Sequence, residues 1–351
     1  VVLDDLPTPI VLAPLGGGPS TPELAAAVSE AGGLGFLAAA YLSAGEAARR
    51  IGATRELTSG PFGVNVFAPV PGPADPESYA GYVDRLAAWA RGRGLDVGEP
   101  RFTDDGYGEK VALLLADPVA VVSFTFSCPD AALVERLHAV GSEVWVTVTT
   151  ADEAAVAVAA GADALVAQGA EAGGHRGSFA DDGGATAIGL LPLLQILASR
   201  TELPLVASGG VATGGAIAAL LCAGARAVQL GTAFMLCPEA GTAEVHRAAL
   251  RSDGPTALTR AFTGRTARGI RNGFMDEHDA GAPFAYPEIH YVTAPARAAA
   301  RAAGDASAVN LWAGEAHELA RELPAGELVR ALADDARAAI ARAAADLSPP
   351  G

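Results

Sequence analysis

Two stretches decide the reading of this chain: Leu203-Pro-Leu-Val-Ala-Ser-Gly-Gly-Val-Ala-Thr-Gly-Gly215 and, shortly after it, Ala227-Val-Gln-Leu-Gly-Thr232. Each is a short apolar run that ends in small residues, the pattern of a buried parallel strand entering a tight turn. In a (β/α)8 barrel the loops after the last two strands offer unpaired backbone N–H groups to a phosphate, and glycine lets the backbone approach it closely. Ser208, Gly209 and Gly210 in one turn, with Gly231 and Thr232 in the other, are therefore the expected phosphate cradle. One glycine-rich turn alone would be only a tight connection. Two at adjacent final strands point to a ligand.

Runs of the same kind lie upstream at 9–15, 34–38, 62–68, 120–126, 143–149 and 164–169, and together with 204–210 and 227–232 they make eight. Between them lie helix patterns with recognisable starts, at Thr21-Pro22-Glu23, Ser43 and Thr213, and stops, at Gly32-Gly33 and Gly224. Strands alternating with crossover helices are the signature of a parallel α/β fold. The expected architecture is a (β/α)8 TIM barrel over residues 1–240. It carries an inserted helical segment at 69–119, between strands three and four, and a mostly helical C-terminal extension at 241–351. Such additions cover the active-site face of barrels.

Composition narrows the partners. Half of the 351 residues are hydrophobic, enough for a sizeable core, and 24 Lys and Arg against 40 Asp and Glu leave a formal charge of -16. That balance argues against nucleic acid or an anionic membrane, which clustered cations would have to meet. The first residues show no basic segment followed by a long apolar run, and no window approaches the length of a membrane span, so a cytoplasmic protein is expected. Cys128, Cys222 and Cys237 have no CxxC spacing and are read as small buried apolar residues, neither disulfide-bonded nor metal-bound.

Candidate chemistry gathers at the strand ends. Gln168 ends strand six, and beyond it His175 is flanked by Gly173, Gly174 and Gly177. This backbone is shaped to present an imidazole whose ordinary pKa of about 6.5 suits proton transfer or holding an anion. Arg176 adds a cation beside it. Ala13, Pro14 and Leu15 follow strand one, and Asn65 is an amide among the apolar residues of strand three, where a heterocycle edge would satisfy it. The only lysine, Lys110, lies in the insertion, which argues against a Schiff-base mechanism. No HExxH, paired metal carboxylates or GxSxG elbow appears, and Asp104-Asp105 and Asp181-Asp182 read as solvated turns. The chemistry is expected to come from a cofactor, with no metal.

Taken together these residues resemble the nitronate monooxygenase family, formerly called 2-nitropropane dioxygenases, which are FMN-dependent (β/α)8 barrels. The resemblance covers most of the chain. It rests on Pro9-Ile-Val-Leu-Ala-Pro14, Ala31-Gly-Gly-Leu-Gly35, Pro61-Phe-Gly-Val-Asn65, Val122-Ser-Phe-Thr-Phe126, Ala172-Gly-Gly-His-Arg-Gly177, Ala207-Ser-Gly-Gly210, Gln229-Leu-Gly-Thr232 and Gly264-Arg-Thr-Ala-Arg268. It implies that Gly210, Gly231 and Thr232 surround the FMN phosphate and that Pro14, Asn65 and Gln168 approach the flavin ring. Ala13, Leu15, Gly173, Gly174, Ser208, Gly209 and Gln229 complete the implied cofactor set, and His175 matches the catalytic histidine.

The implied reaction oxidises an alkyl nitronate, such as propionate 3-nitronate, or a nitroalkane with O2 through a flavin semiquinone, yielding a carbonyl compound and nitrite. No nicotinamide is consumed. His175 would hold a nitronate by a charge-assisted hydrogen bond, or take the α-proton of a neutral nitroalkane. FMN-dependent NAD(P)H enoyl-acyl-carrier-protein reductases share several of these elements and are the main alternative; a flavin-binding barrel without turnover is another. The insertion, Asp104-Asp105-Gly106-Tyr107, Tyr286-Pro-Glu-Ile-His-Tyr291 and Asn310-Leu-Trp-Ala-Gly314 look more like the nitronate oxidisers. They make Tyr107, His290 and Tyr291 candidate substrate-pocket residues. A homodimer is left open.

Overall fold

The computed structural model of the protein describes residues 1–184 and 187–347. The last four residues of the expected extension lie outside the described residues. Eight parallel strands form the barrel: β1 (Ile10–Leu12), β2 (Gly35–Ala38), β3 (Phe62–Phe67), β4 (Val121–Thr125), β5 (Glu143–Val148), β6 (Ala164–Gln168), β7 (Leu205–Ser208) and β8 (Ala227–Leu230). Consecutive strands pair from β2 to β8, and β8 pairs with β1. The seam between β1 and β2 is closed by one parallel bridge, Val11 to Leu34, where Leu12 N–H donates to the Leu34 carbonyl and Leu34 N–H to that of Ile10.

Side chains alternate across the strands. Val64 and Val66 of β3, Val122 and Phe124 of β4, and Val144, Val146 and Val148 of β5 face outward into the layer between barrel and helices. Val11, Phe36, Val121, Trp145, Ala164 and Val206 form a separate cluster that fills the inside. Gly63 makes room for that filling, since a Cβ there would lie 2.4 Å from the Phe36 ring.

The anticipated helix starts are present. Thr21, Ser43 and Thr213 accept from the N–H groups of Leu24, Glu46 and Ala216 at 3.0, 3.2 and 3.2 Å, opening helices Pro22–Glu30, Ala44–Leu57 and Gly214–Cys222.

The two additions prove less separate from the barrel than their sequence suggests. Helix Tyr107–Ala116 of the insertion buries Val111 and Leu114 in the main core and is the regular crossover between β3 and β4. Only the segment before it, with helix Pro76–Arg91, leaves the barrel. Tyr82, Leu86 and Trp89 of that helix share a second core with Phe262, Phe274, Ile289 and Val292 from the extension. The extension is not wholly helical: Thr256–Thr259 and Ala267–Ile270 pair antiparallel, and the two-residue strand Gly174–His175 joins their sheet. The final helix, Ala325–Asp346, packs against Pro22–Glu30 and Gly214–Cys222, in the place of the eighth barrel helix.

The cysteines also differ from their reading. Cys237 is buried, but Cys128 is half-buried and Cys222 is exposed at the end of its helix. Among the described residues no helix is long and apolar enough to cross a membrane.

Leu332, fully buried on the final helix, tests whether that helix is integral to the barrel. Leu332→Ala should cost about 2–5 kcal/mol in denaturant unfolding, as for a core leucine. Ile340→Ala, at an exposed position of the same helix, should change stability by less than about 1 kcal/mol.

Candidate active site

The inward-facing residues of the barrel change character along its axis. Above the apolar floor, at the C-terminal ends of the strands, stand Asn65, Thr125, Thr147, Gln168, Ser208 and Gln229. Polar side chains persist in a core only with partners, and several of these find them in the ring itself: Thr125 Oγ1 lies 3.4 Å from Thr147 Oγ1, and Gln229 Nε2 donates to Ser208 Oγ at 3.4 Å. Over it opens a cavity of about 460 Å³, within the range of roughly 300–1,000 Å³ usual for ligand and cofactor sites. Every residue expected to contact a cofactor lines it, and so do His175 and His290.

One end of the cavity is backbone. Gly209 and Gly210 have φ of 129° and 64°, and a Cβ on Gly210 would lie 2.8 Å from that of Glu171. Among the described residues nothing accepts from the N–H groups of Gly209, Gly210, Gly231 or Thr232. Thr232 Oγ1 accepts from the Gly314 N–H at 3.0 Å, which ties the extension to this end.

The middle is amide. Asn65 Nδ2 donates to the Ser123 carbonyl, Ser123 Oγ and Thr125 Oγ1 at 3.2, 2.9 and 3.0 Å. Both amide hydrogens are thereby engaged and only the acceptor Oδ1 is left for a guest. Gln168 is likewise committed, donating from Nε2 to the His175 carbonyl at 3.1 Å and accepting from the Gly177 N–H at 2.8 Å. It lines the cavity, yet its polar atoms brace the His175 loop.

His175 lies at the other end among the rings of Phe126, Tyr286 and Trp312, at 5.8, 5.5 and 5.6 Å. Its Nε2 is 2.9 Å from Thr263 Oγ1, which in turn donates to the Arg265 carbonyl at 3.2 Å. Thr263 thus holds the imidazole at Nε2, and Nδ1 has no partner among the described residues.

Three anticipated pocket residues stand elsewhere. Tyr107 begins the crossover helix and packs on Phe124, on the outer face of β4. Arg176 follows His175 on an extended segment, so alternation sends it the other way, and its guanidinium donates to the Gln168 carbonyl. Tyr291 lies under Arg101 beside a separate small hollow, whereas His290, one residue earlier on the helix, reaches the main cavity.

Tyr41, Thr263, Arg297 and Trp312, which sequence reasoning did not single out, also line the cavity. Tyr41 is a non-glycine residue at φ 63°, stacked on His290 with ring centroids 4.3 Å apart, and its hydroxyl is 3.2 Å from that of Tyr286. Its N–H donates to both carboxylate oxygens of Asp105, which Lys110 Nζ holds at 2.7 Å. Lys110 is 1% exposed. Asp105 is thus no solvated turn; burial pushes its carboxyl pKa up while Lys110 opposes this. Asp181 is buried too, accepting from Thr266 N–H and Oγ1 and pairing with Arg260. Lys110→Met should cost about 3–5 kcal/mol in denaturant unfolding, because it strands a buried carboxylate.

Comparison with known proteins decides the family. A family model described as nitronate monooxygenase matches residues 2–335. The chain belongs to the nitronate monooxygenase family. A nitronate monooxygenase of Pseudomonas aeruginosa is 45% identical, with 94% of this chain and 96% of that protein covered. One from Paraburkholderia phytofirmans is 40% identical over 92% and 91%. A solved structure of nitroalkane oxidase from Streptomyces ansochromogenes superposes with a TM-score of 0.94 at 49% identity, covering 98% of this chain and all of that one. FabK from Thermotoga maritima, at 24% identity and a TM-score of 0.77 over 99% and 97%, shares the fold. The chain is therefore an oxidoreductase of the nitronate monooxygenase family.

Three of the histidines that line this cavity, His175, His246 and His290, have pKa values pulled down. Burial, then Arg265 and Arg297, pulls the pKa of His175 down to about 3. Burial and Arg297 take His290 to about 2, and burial takes His246 to about 4. Each folded value lies below the ordinary 6.5, so the unfolded chain binds protons that the native state does not. The stability contributed by these groups is complete above about pH 6.5 and is lost as pH falls toward the folded values. The unfolding temperature should therefore drop between pH 7 and pH 5. His290→Phe, which keeps the ring on Tyr41, should flatten that dependence; an unchanged slope would contradict burial as its origin.

Proposed function

We propose that the cavity holds FMN and that the protein oxidises alkyl nitronates with O2 to a carbonyl compound and nitrite. The observation that carries this is one cavity with unpartnered backbone N–H groups at one end and, at the other, a histidine whose Nε2 is held by Thr263 and whose pKa is pulled down by burial. The residues present fit the cofactor. Gly209, Gly210, Gly231 and Thr232 would hold its phosphate without a side-chain cation. Asn65 Oδ1 would accept from a ring N–H, with Ala13, Pro14 and Leu15 against the ring. When bound, FMN supplies one-electron exchange between the organic substrate and O2.

The chain's own residues do the rest. Phe126, Tyr286 and Trp312 pack around the His175 ring, and Thr263 holds its Nε2, so that Nδ1 is the ring nitrogen left to face a substrate. His175 then takes an α-proton where the substrate arrives as a neutral nitroalkane. Burial and the two arginines favour the neutral imidazole, and Arg297, which lines the cavity, supplies positive charge for an anionic nitronate.

The purified protein should carry a flavin spectrum, and its released cofactor should have the mass of FMN. Oxygen uptake on adding propionate 3-nitronate, with no NADH present, is the expected activity. NADH oxidation with no nitronate-dependent uptake would support the reductase reading. His175→Asn should lower turnover on a neutral nitroalkane by about 10²-fold or more while FMN stays bound.

A further inference from the structure

Three residues other than glycine have a left-handed backbone among the described residues: Tyr41, Asp105 and Phe126, at φ of 63°, 60° and 82°. All three line the same place, the small hollow of about 20 Å³ beside the main cavity. A side chain at such a φ crowds its own backbone, and the conformation persists only where the surroundings impose it. For Tyr41 they do. Its N–H is held by the Asp105 carboxylate at 3.0 and 3.3 Å, and that carboxylate is held by Lys110 Nζ at 2.7 Å, with Lys110 sealed from solvent. A buried ion pair is weak evidence for stability, and the role left to it is to fix one conformation. The chain's only lysine serves this one turn.

What the turn holds in place is a ring between two spaces. Tyr41 and Phe67 are the two residues that line both the main cavity and the hollow, and their rings meet edge to face at 5.7 Å. The Tyr41 ring also lies flat on His290, with the ring planes 1° apart, and its hydroxyl is 3.2 Å from that of Tyr286. Backbone, ring face and hydroxyl are thus each held. Behind this ring the hollow is mostly apolar, walled by Phe67, Ala68, Pro69, Val70, Phe126 and Pro287. It begins close to the chemistry: Phe126 and Tyr286, which line it, are also rings packed on His175, at 5.8 and 5.5 Å.

We propose that Tyr41, with Phe67, is a specificity-determining partition: it ends the substrate space on this side and so restricts the nitronate carbon to short alkyl substituents. This rests on the nitronate reading above. A longer chain would need the apolar hollow, and the Tyr41 ring occupies the way into it. Selection is by excluded volume, because a packed wall does not admit an added methylene without cost. Tyr41 leaves the reacting atoms to His175. Lys110 and Asp105 act through Tyr41 and are positioning residues.

The test uses the FMN-loaded protein, with Tyr41→Gly and Tyr41→Phe. Glycine adopts this left-handed φ without strain and keeps the N–H that Asp105 holds, so Tyr41→Gly removes the ring and leaves the turn. It should raise kcat/KM for the nitronate of 1-nitrohexane, relative to ethyl nitronate, by about tenfold or more, the scale of making room for a methylene. Tyr41→Phe keeps the ring and should hold that ratio within about threefold of the wild type. Phe67→Ala opens the same wall from the other side and decides the matter should Tyr41→Gly fail to fold: the ratio should rise in the same way. An unchanged ratio in the variants that fold, or an equal rise with Tyr41→Phe, would overturn the partition. A second readout needs no turnover. In calorimetry hexanoate, whose planar anion imitates a nitronate, should bind Tyr41→Gly about tenfold more tightly than the wild type, and acetate equally to both. Hexanoate binding that ignores Tyr41 and Phe67 overturns the partition whatever the activity. Tyr41-dependent hexanoate binding in a protein that oxidises neither nitronate would support the partition and sink the nitronate reading.

Discussion

Gln168 ends β6, and its side-chain amide reaches past the strand to the His175 carbonyl on one side and the Gly177 N–H on the other. Both bonds fall on a loop rich in glycine, whose backbone would otherwise sample many conformations. With the loop held, Gly174–His175 can pair with Ala267–Ile270, and His175 comes within hydrogen-bond distance of Thr263. The extension thus joins the barrel at the residue that faces the cavity. The second core under the extension, with Phe262, Phe274 and Ile289, supports this join from behind.

Partial burial governs the electrostatics of the site. The rings around His175 and the stack of Tyr41 on His290 shield much of each imidazole from solvent, which disfavours charge on either. Guanidinium groups resist the same pressure because they remain protonated under almost any conditions. Arg265, its guanidinium 4.0 Å from the Phe126 ring centre, and Arg297 therefore carry the positive potential in a protein that is strongly acidic overall. The only lysine takes no part in this; it is sealed against Asp105 and shapes the loop that carries Tyr41.

Much of this was legible in the sequence because it is written locally. Strand runs, the caps at Thr21, Ser43 and Thr213, and the glycine turns at Gly209-Gly210 and Gly231 each depend on a few consecutive residues. The alternation along β4 and β5 was also available, and it would have revealed Thr125 and Thr147 as inward-facing. It would have set Tyr107 aside as well, since Phe124, the partner of its ring, points outward. Asp105 and Asp181 misled because an acidic pair beside glycine reads as solvated unless its distant partners, Lys110 and Thr266, are known.

The sequence by itself determined the barrel, its strands, the glycine turns after β7 and β8 and the histidine loop, because hydrophobic period, capping and glycine placement act over short distances. Only the tertiary structure decided that burial, Arg265 and Arg297 lower the pKa of His175 and that Thr263 holds its Nε2. Tertiary packing alone also made Ala325–Asp346 the eighth barrel helix and turned Arg297 from an Ala-rich helix into the cavity. Those outcomes depend on burial and on partners far away in the chain, such as Thr263 for His175 and Asn310 for Arg297, which no local pattern encodes.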